Sequence, residues 1–511
     1  MLYESTRGGQ KGLSSAEAIK QGIAGDGGLF VPDSRVRFSL EQIAAMAGMN
    51  YQERAVTVLT PYLTDFTEGE IGECVVNAYR EPKFDTPAIA PLVRTAGGDC
   101  YLELWHGPTL AFKDMALQIL PHLLQRSMAK TGEPFDIVIL VATSGDTGKA
   151  ALEGFRDVPK TRIIVFFPNE GVSEVQKLQM ITQEGTNVGV FAVRGNFDDA
   201  QTGVKAIFTD PETVKKLAEH NFKFSSANSI NWGRLVPQIA YYFSAYADLI
   251  KGGEIAPGEE INFVVPTGNF GNILAGFYAR RMGLPVRRLI CAANANNVLT
   301  DFIRTGTYDK NRKFEKTISP SMDILVSSNL ERLLYELTGH DAGKVSGWMS
   351  DLRGKGRYDV DKDTRDKITE LFWSDWASDD ETLKTIRKVY EDTGYVLDTH
   401  TAVGKAVYEW YKEETGDKTR TVIVSTASPF KFNASVAQAI LGKAATAGKS
   451  EFELLSMLAE ATGLAIPPAL RDLNKKPVLH PRVVEPEEMR DAVVEMLTGQ
   501  NWEAAKEYSP K

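Results

Sequence analysis

The strongest constraint on this 511-residue chain is a unit that recurs between about residues 100 and 432. It consists of a short β-branched run, a glycine-bearing turn and then a stretch with helical spacing. DIVILVA leads into TSGDTG, TRIIVFF into PNEG, EINFVVP into TGNFGN and TRTVIVS into TASPF. The runs are apolar throughout rather than alternating, as parallel strands buried on both faces require. Strands that alternate with helices in this way predict an α/β fold with open, mostly parallel sheets. Such sheets place ligands beyond the carboxyl ends of their strands, which is where these turns fall. The similar units at 137 and 261 predict two related lobes.

The flanks read differently. Residues 1–96 are polar, rich in Gly and Thr, with helical patches AEAIKQGIA and LEQIAAMAG, and predict a mainly helical amino-terminal domain. GGDC at 97–100 is expected as a hinge. Residues 97–225 and 226–450 are expected as the two lobes, and 451–511 as a helical extension containing ELLSMLAEATG and PEEMRDAVVEML. A chain of this length is expected to hold about three to four domains.

Composition removes several classes of function. With 58 basic against 67 acidic side chains the net charge is −9, and no long cationic cluster offers the counterion release on which sequence-independent nucleic-acid binding depends. Three cysteines, Cys74, Cys100 and Cys291, are too dispersed for a metal knuckle or redox pair, and read as reduced thiols. No apolar run approaches the ~18 residues of a membrane helix, and the start MLYESTRGGQ has no apolar signal core. A cytoplasmic protein without nucleic-acid or membrane partners is expected. The six histidines show no ligand spacing, so no metal is expected.

Four places carry candidate chemistry. In LWHGPTLAFKDMALQILPHLL, a helix beginning near residue 112 puts Lys113 on one face with Ala116, Leu117, Leu120 and Leu124. An apolar face and a helix amino terminus both disfavour an ammonium, which suits a neutral amine able to form a Schiff base. The alternative is a buried stem whose charged head reaches water. In VVPTGNFGNILAGFYA the backbone amides of Gly268, Asn269, Phe270, Gly271 and Asn272 converge with a helix dipole, forming an anion site that lacks any lysine or arginine from Asn262 to Ala279. A tight turn for close helix packing is the alternative there. Thr143, Ser144, Gly145, Asp146, Thr147 and Gly148 suit a carboxylate, or simple helix capping. Ser425 and Thr426 end a further strand. The central loop lacks G-x-G-x-x-G, and Thr143 and Ala150 break the phosphate-loop pattern around Gly148 and Lys149, so nicotinamide and phosphoryl-transfer chemistry lose ground. No G-x-S-x-G elbow occurs, and His106 is as suited to packing as to catalysis.

Taken together, YESTRGG, GIAGDGGLFVPD, ELWHGPTLAFKDMALQ, ATSGDTGKAA, SSANSINWGRLVPQ, PTGNFGNILAG and STASPFKF resemble, in order from residue 3 to residue 432, the longer type of the threonine synthase family. These are pyridoxal-phosphate enzymes of the tryptophan synthase β-like fold. The resemblance implies that Lys113 carries pyridoxal 5'-phosphate, that Gly268, Asn269, Phe270, Gly271 and Asn272 cradle its phosphate, and that Thr426 faces the pyridine nitrogen. It implies that Ser144, Gly145, Asp146, Thr147 and Gly148 hold the substrate carboxylate and that Asn228, Ser229, Asn231 and Arg234 face the substrate. Lys149 or Arg234, ahead of Arg194, are the candidates for the substrate phosphate. The implied reaction converts O-phospho-L-homoserine and water to L-threonine and phosphate. A serine or threonine dehydratase and an inactive phospho-ligand-binding relative are the alternatives; YESTRGG weighs against the first and intact Lys113 against the second.

Overall fold

The computed structural model describes residues 1–143 and 145–499. Two sheets organise it. The larger has six strands in the order Phe372–Trp376, Val286–Ala293, Ile261–Pro266, Thr421–Ser425, Cys100–Glu103, Leu92–Arg94, parallel except for the last. The smaller has five parallel strands in the order Val483–Val484, Val188–Val193, Thr161–Pro168, Asp136–Ala142, Phe222–Ser225. The continuous apolar runs are the buried inner strands: every residue of Ile261–Pro266 and Thr421–Ser425 is shielded from solvent. With helices packed around both sheets, the α/β architecture is the one the recurring unit predicts.

The helix Trp232–Lys251 joins the parts. Nearly all its circumference is apolar, and nearly all of it is buried, as a helix without a polar face must be. Trp232 packs its ring against Tyr3, Tyr62 and Tyr278, so residues from the amino-terminal segment and the large lobe share one aromatic cluster. Arg54, on the helix Tyr51–Leu59, donates to Ser244 Oγ at 2.8 Å and pairs with Asp248 at 2.7 Å on the same long helix. YESTRGG also has a tying role: Arg7 forms a two-point pair with Glu331, both bonds 2.9 Å, and Thr6 Oγ1 donates to the same carboxylate at 2.6 Å. The two amino-terminal helical patches are the helices Ser15–Gln21 and Leu40–Ala45, each opened by a reciprocal cap, Ser14 with Glu17 and Ser39 with Gln42.

Three boundaries differ from the sequence reading. GGDC is not a hinge: Gly98, at φ 86°, turns a hairpin whose strands Leu92–Arg94 and Cys100–Glu103 pair antiparallel across the expected break at 97. The strand Cys100–Glu103 also pairs with Thr421–Ser425, so the segment leading to Lys113 belongs to the large sheet and not with residues 136–225. Finally, 451–511 is not solely helical. Val483–Val484 extends the small sheet, and Ala492, Val493 and Leu497 bury against Val204, Ile207 and Leu217 of that lobe.

The helix Asp146–Phe155 meets the turn of helix Asp114–Leu117 at Gly154, where a Cβ would fall on the Leu117 carbonyl oxygen. Neither backbone can give way without moving its helix. Gly154→Ala is expected to cost about 1–3 kcal/mol, measured as the shift in urea midpoint. An unchanged midpoint would mean that this crossing is not close-packed.

Candidate active site

Lys113 lies where the chain leaves the large sheet. Ala111 bridges Ala427, and Phe112 N donates to Thr426 O at 2.8 Å, so the turn is pinned beside the end of strand Thr421–Ser425. That pairing delays the helix to Asp114–Leu117, with Lys113 as its N-cap, two residues later than the pattern predicts. Ala116, Leu117, Leu120 and Leu124 are all buried, but the expected single helix is divided: the first two lie on Asp114–Leu117 and the last two on the following helix Leu120–Lys130. Burial pushes the Lys113 amine below the usual lysine value, against the pull of Asp146, and Lys431 and Arg234 push it further the same way. Lys113 Nζ donates to Ser321 Oγ at 3.2 Å and lies 3.6 Å from Asp146 Oδ2.

Asp146 opens its helix from the small lobe, with its carboxylate buried. Ser321 Oγ donates to Oδ2 at 3.0 Å, Gln176 Nε2 donates to Oδ1 at 2.8 Å, and Lys431 Nζ stands 3.2 Å from Oδ1. Burial alone would raise this carboxyl, but Lys431, Lys113 and His400 outweigh it and hold the group well below the usual carboxylate range. The preceding loop is drawn tight: Thr143 Oγ1 accepts from Gly145 N at 3.0 Å and Gly148 N at 2.9 Å. Gly145 has φ 147°, and a Cβ there would run into the Gln176 amide. Thr147 follows on the first turn of the helix, and Ser144 lies outside the described residues.

The glycine loop sits at the end of Ile261–Pro266 and opens the helix Gly271–Arg281. Phe270, the N-cap, adopts the left-handed conformation, φ 65° and ψ 1°, and no side chain caps the first amides of the helix. Asn272 Oδ1 accepts from both Tyr241 and Tyr242 hydroxyls, at 2.8 and 2.7 Å, leaving its buried Nδ2 without a protein partner. A donor so oriented suits an anion. A Cβ on Gly268 would lie 2.5 Å from Ser321 O. Ser321 therefore touches both halves of the site, its carbonyl packed on the glycine loop and its hydroxyl on Lys113. Asn329 couples this loop to its neighbour, donating from Nδ2 to Asn269 O at 3.0 Å and Ser229 O at 3.3 Å.

Of the other candidates, Arg234 is buried near Lys113, donates from NH1 to Ala227 O at 2.9 Å, and keeps a buried Nε without a protein partner. Burial lowers it to about 10. Asn231 is committed elsewhere: it caps the long helix through Gly233 N and donates to Ile19 O and Ser226 O. Asn228 is exposed, and Ser229 contributes its carbonyl to Asn329. Lys149 pairs with Glu153, one turn along its own helix, and with Gln183. Arg194 pairs with Glu485 at the surface. Each of these two cations is engaged by a carboxylate in this arrangement. His106 bridges Asp85 and Glu103; burial would lower it, but the two carboxylates raise it to about 9. Thr426 is buried beside the Lys113 turn.

Sequence reasoning missed Ser321, Lys431, Gln176 and His400. His400 Nε2 accepts from Ser321 N at 3.1 Å, and its Nδ1 faces Asp398 at 2.8 Å. Lys431 lies inside STASPFKF, where no spacing marks it, and its burial is seen only in the fold.

Among known proteins, the family model "Threonine synthase N terminus" matches residues 2–79, "Pyridoxal-phosphate dependent enzyme" residues 82–347, and "Threonine synthase, C-terminal" residues 401–495. A threonine synthase of Pseudomonas aeruginosa is 42% identical over 87% of this chain and 91% of its own length. Threonine synthase-like 1 of Homo sapiens is 42% identical over 83% of this chain, but the match spans only 58% of that longer protein. The crystal structure of PLP-bound threonine synthase from Brucella melitensis superposes with a TM-score of 0.85 at 38% identity, covering 97% of this chain and 98% of that one.

Proposed function

The chain belongs to the threonine synthase family, and we propose that it converts O-phospho-L-homoserine and water to L-threonine and phosphate with pyridoxal phosphate as its cofactor. The observation that carries the reading is the meeting, around Ser321, of a buried amine with lowered proton affinity and a cation-free cradle of amides. The residues present fit the cofactor: Lys113 supplies the amine, and Gly268, Asn269, Phe270, Gly271 and Asn272 supply the anion cradle, with the unpartnered Asn272 Nδ2 as an additional donor. Thr426 stands beside the Lys113 turn. When bound, pyridoxal phosphate supplies an electron sink that acidifies the substrate protons at Cα and then at Cβ.

The protein's own part is positioning and proton handling. With the cofactor bound, Lys113 Nζ would be the base that takes the Cα proton and then a Cβ proton, and its lowered proton affinity favours the return of those protons. Ser321 and Asp146 hold that nitrogen in place through contacts of 3.2 and 3.6 Å respectively. The tight 143–148 turn offers amides at a helix start to the substrate carboxylate. Arg234 presents its free Nε to the departing phosphate, so that charge developing on the leaving group meets a buried cation. Phosphate leaves from Cγ, a proton is delivered to Cγ to make the methyl group, water adds its hydroxyl at Cβ, and a proton is returned to Cα to give threonine.

The test is direct. With purified protein, equal amounts of threonine and phosphate are expected from O-phospho-L-homoserine. Phosphate accompanied by a keto acid would instead identify an eliminating enzyme, and no turnover would remove the proposal.

A further inference from the structure

Lys431 has no part in the reaction just described, yet its side chain is fully buried and ion-paired within the site. It stands on the short turn Pro429–Phe432. Its ammonium donates to Thr109 O at 2.6 Å, on the loop that enters the Lys113 turn, and lies 3.2 Å from Asp146 Oδ1. The other carboxylate oxygen, Oδ2, accepts from Ser321 Oγ at 3.0 Å and faces Lys113 Nζ at 3.6 Å. One buried carboxylate thus stands between the fully buried Lys431 and Lys113, whose side chain is 13% exposed. Arg234 also faces Lys113, and His400, which holds Ser321 N, also faces Asp146.

We propose that Lys431 is a positioning residue for the Lys113 nitrogen, acting through Asp146 as the fixed countercharge that keeps this carboxylate ionised and aimed while Lys113 gains and loses its proton. The inference rests on the reading of Lys113 as the cofactor lysine. The charge arithmetic motivates it. With Lys113 neutral, Asp146 and Lys431 still balance, so Lys113 can be uncharged without stranding a buried anion. Without Lys431, Asp146 depends chiefly on Lys113 for compensation and holds the proton on that nitrogen more firmly. A lysine that merely tied the 109 loop in place would leave the proton affinity of Lys113 unchanged.

The two roles separate in the visible absorption of the cofactor-loaded protein titrated against pH, a readout independent of turnover. Lys431→Met is expected to raise the midpoint of the spectral change by about one pH unit or more. Asp146→Asn should lower it, and Lys431→Arg should return it close to that of the unaltered chain. If Lys431→Met does not fold, Lys431→Gln can stand in, since it removes the charge and keeps an N–H donor on a side chain one atom shorter. A midpoint unmoved by the loss of charge, or moved downward, would overturn the inference. An unaltered chain that shows no cofactor band would overturn the assignment of Lys113 itself, and the inference with it.

Discussion

Lys113→Ala is expected to abolish the visible cofactor band and to reduce threonine formation at least about a thousandfold, because under the proposed roles of Lys113 one substitution would remove both the covalent attachment and the base that moves the substrate protons. Stability should change little by comparison. The Lys113 side chain is the second cation on Asp146, and Lys431 remains to compensate the carboxylate at 3.2 Å. The loss should therefore appear in turnover and absorbance, with far-ultraviolet circular dichroism and the urea midpoint close to those of the unaltered chain. A variant that kept turnover within tenfold would exclude Lys113 as the base.

Asp146→Ala carries the largest expected loss of stability. It leaves Lys113 and Lys431 buried with no carboxylate between them, removes the acceptor for Gln176 Nε2 and Ser321 Oγ, and takes an anion from a helix amino terminus. Removing one member of a buried charge group costs about 3–5 kcal/mol, to be read as a fall in the urea midpoint. Asp146→Asn should cost less, since it retains an acceptor. The pH dependence has a definite sign. The folded carboxyl is held below its unfolded value, so its contribution is complete above the ordinary carboxylate range near pH 4. It is lost only as pH falls through the depressed folded value. The difference in stability between the unaltered chain and Asp146→Ala should accordingly persist from neutrality to about pH 4 and narrow below it.

What the sequence disclosed follows from what it encodes locally. Buried parallel strands announce themselves as continuous apolar runs, and the glycine turns that end them mark the carboxyl edge where the site forms. Lys113 was legible because its apolar neighbours at 116, 117, 120 and 124 are periodic, although backbone pairing of Phe112 with Thr426 shifts the helix start. Ser321, Lys431, Gln176 and His400 carry no such signal: each sits in a different stretch of chain, and only the fold brings them to Asp146. Ser321 in particular lies between stretches with no period to read. Asn231 shows the converse error. A polar residue in a substrate-facing segment reads as a ligand contact, while its side chain in fact caps the helix that follows. Lys149, expected to meet the substrate phosphate, pairs with Glu153 one turn along the same helix. The strand Val483–Val484 was hidden because two residues, paired only through tertiary contact, are too few to show alternation.

The central claim is that the residues around Lys113 direct cleavage of the carbon–oxygen bond at Cγ and addition of water at Cβ, and not simple hydrolysis of the phosphate ester. The two routes place the oxygen of water in different products. Turnover of O-phospho-L-homoserine in ¹⁸O-labelled water, followed by mass spectrometry, is expected to put one labelled oxygen in the threonine hydroxyl and none in the released phosphate. Label in the phosphate, with homoserine as the organic product, would contradict the account.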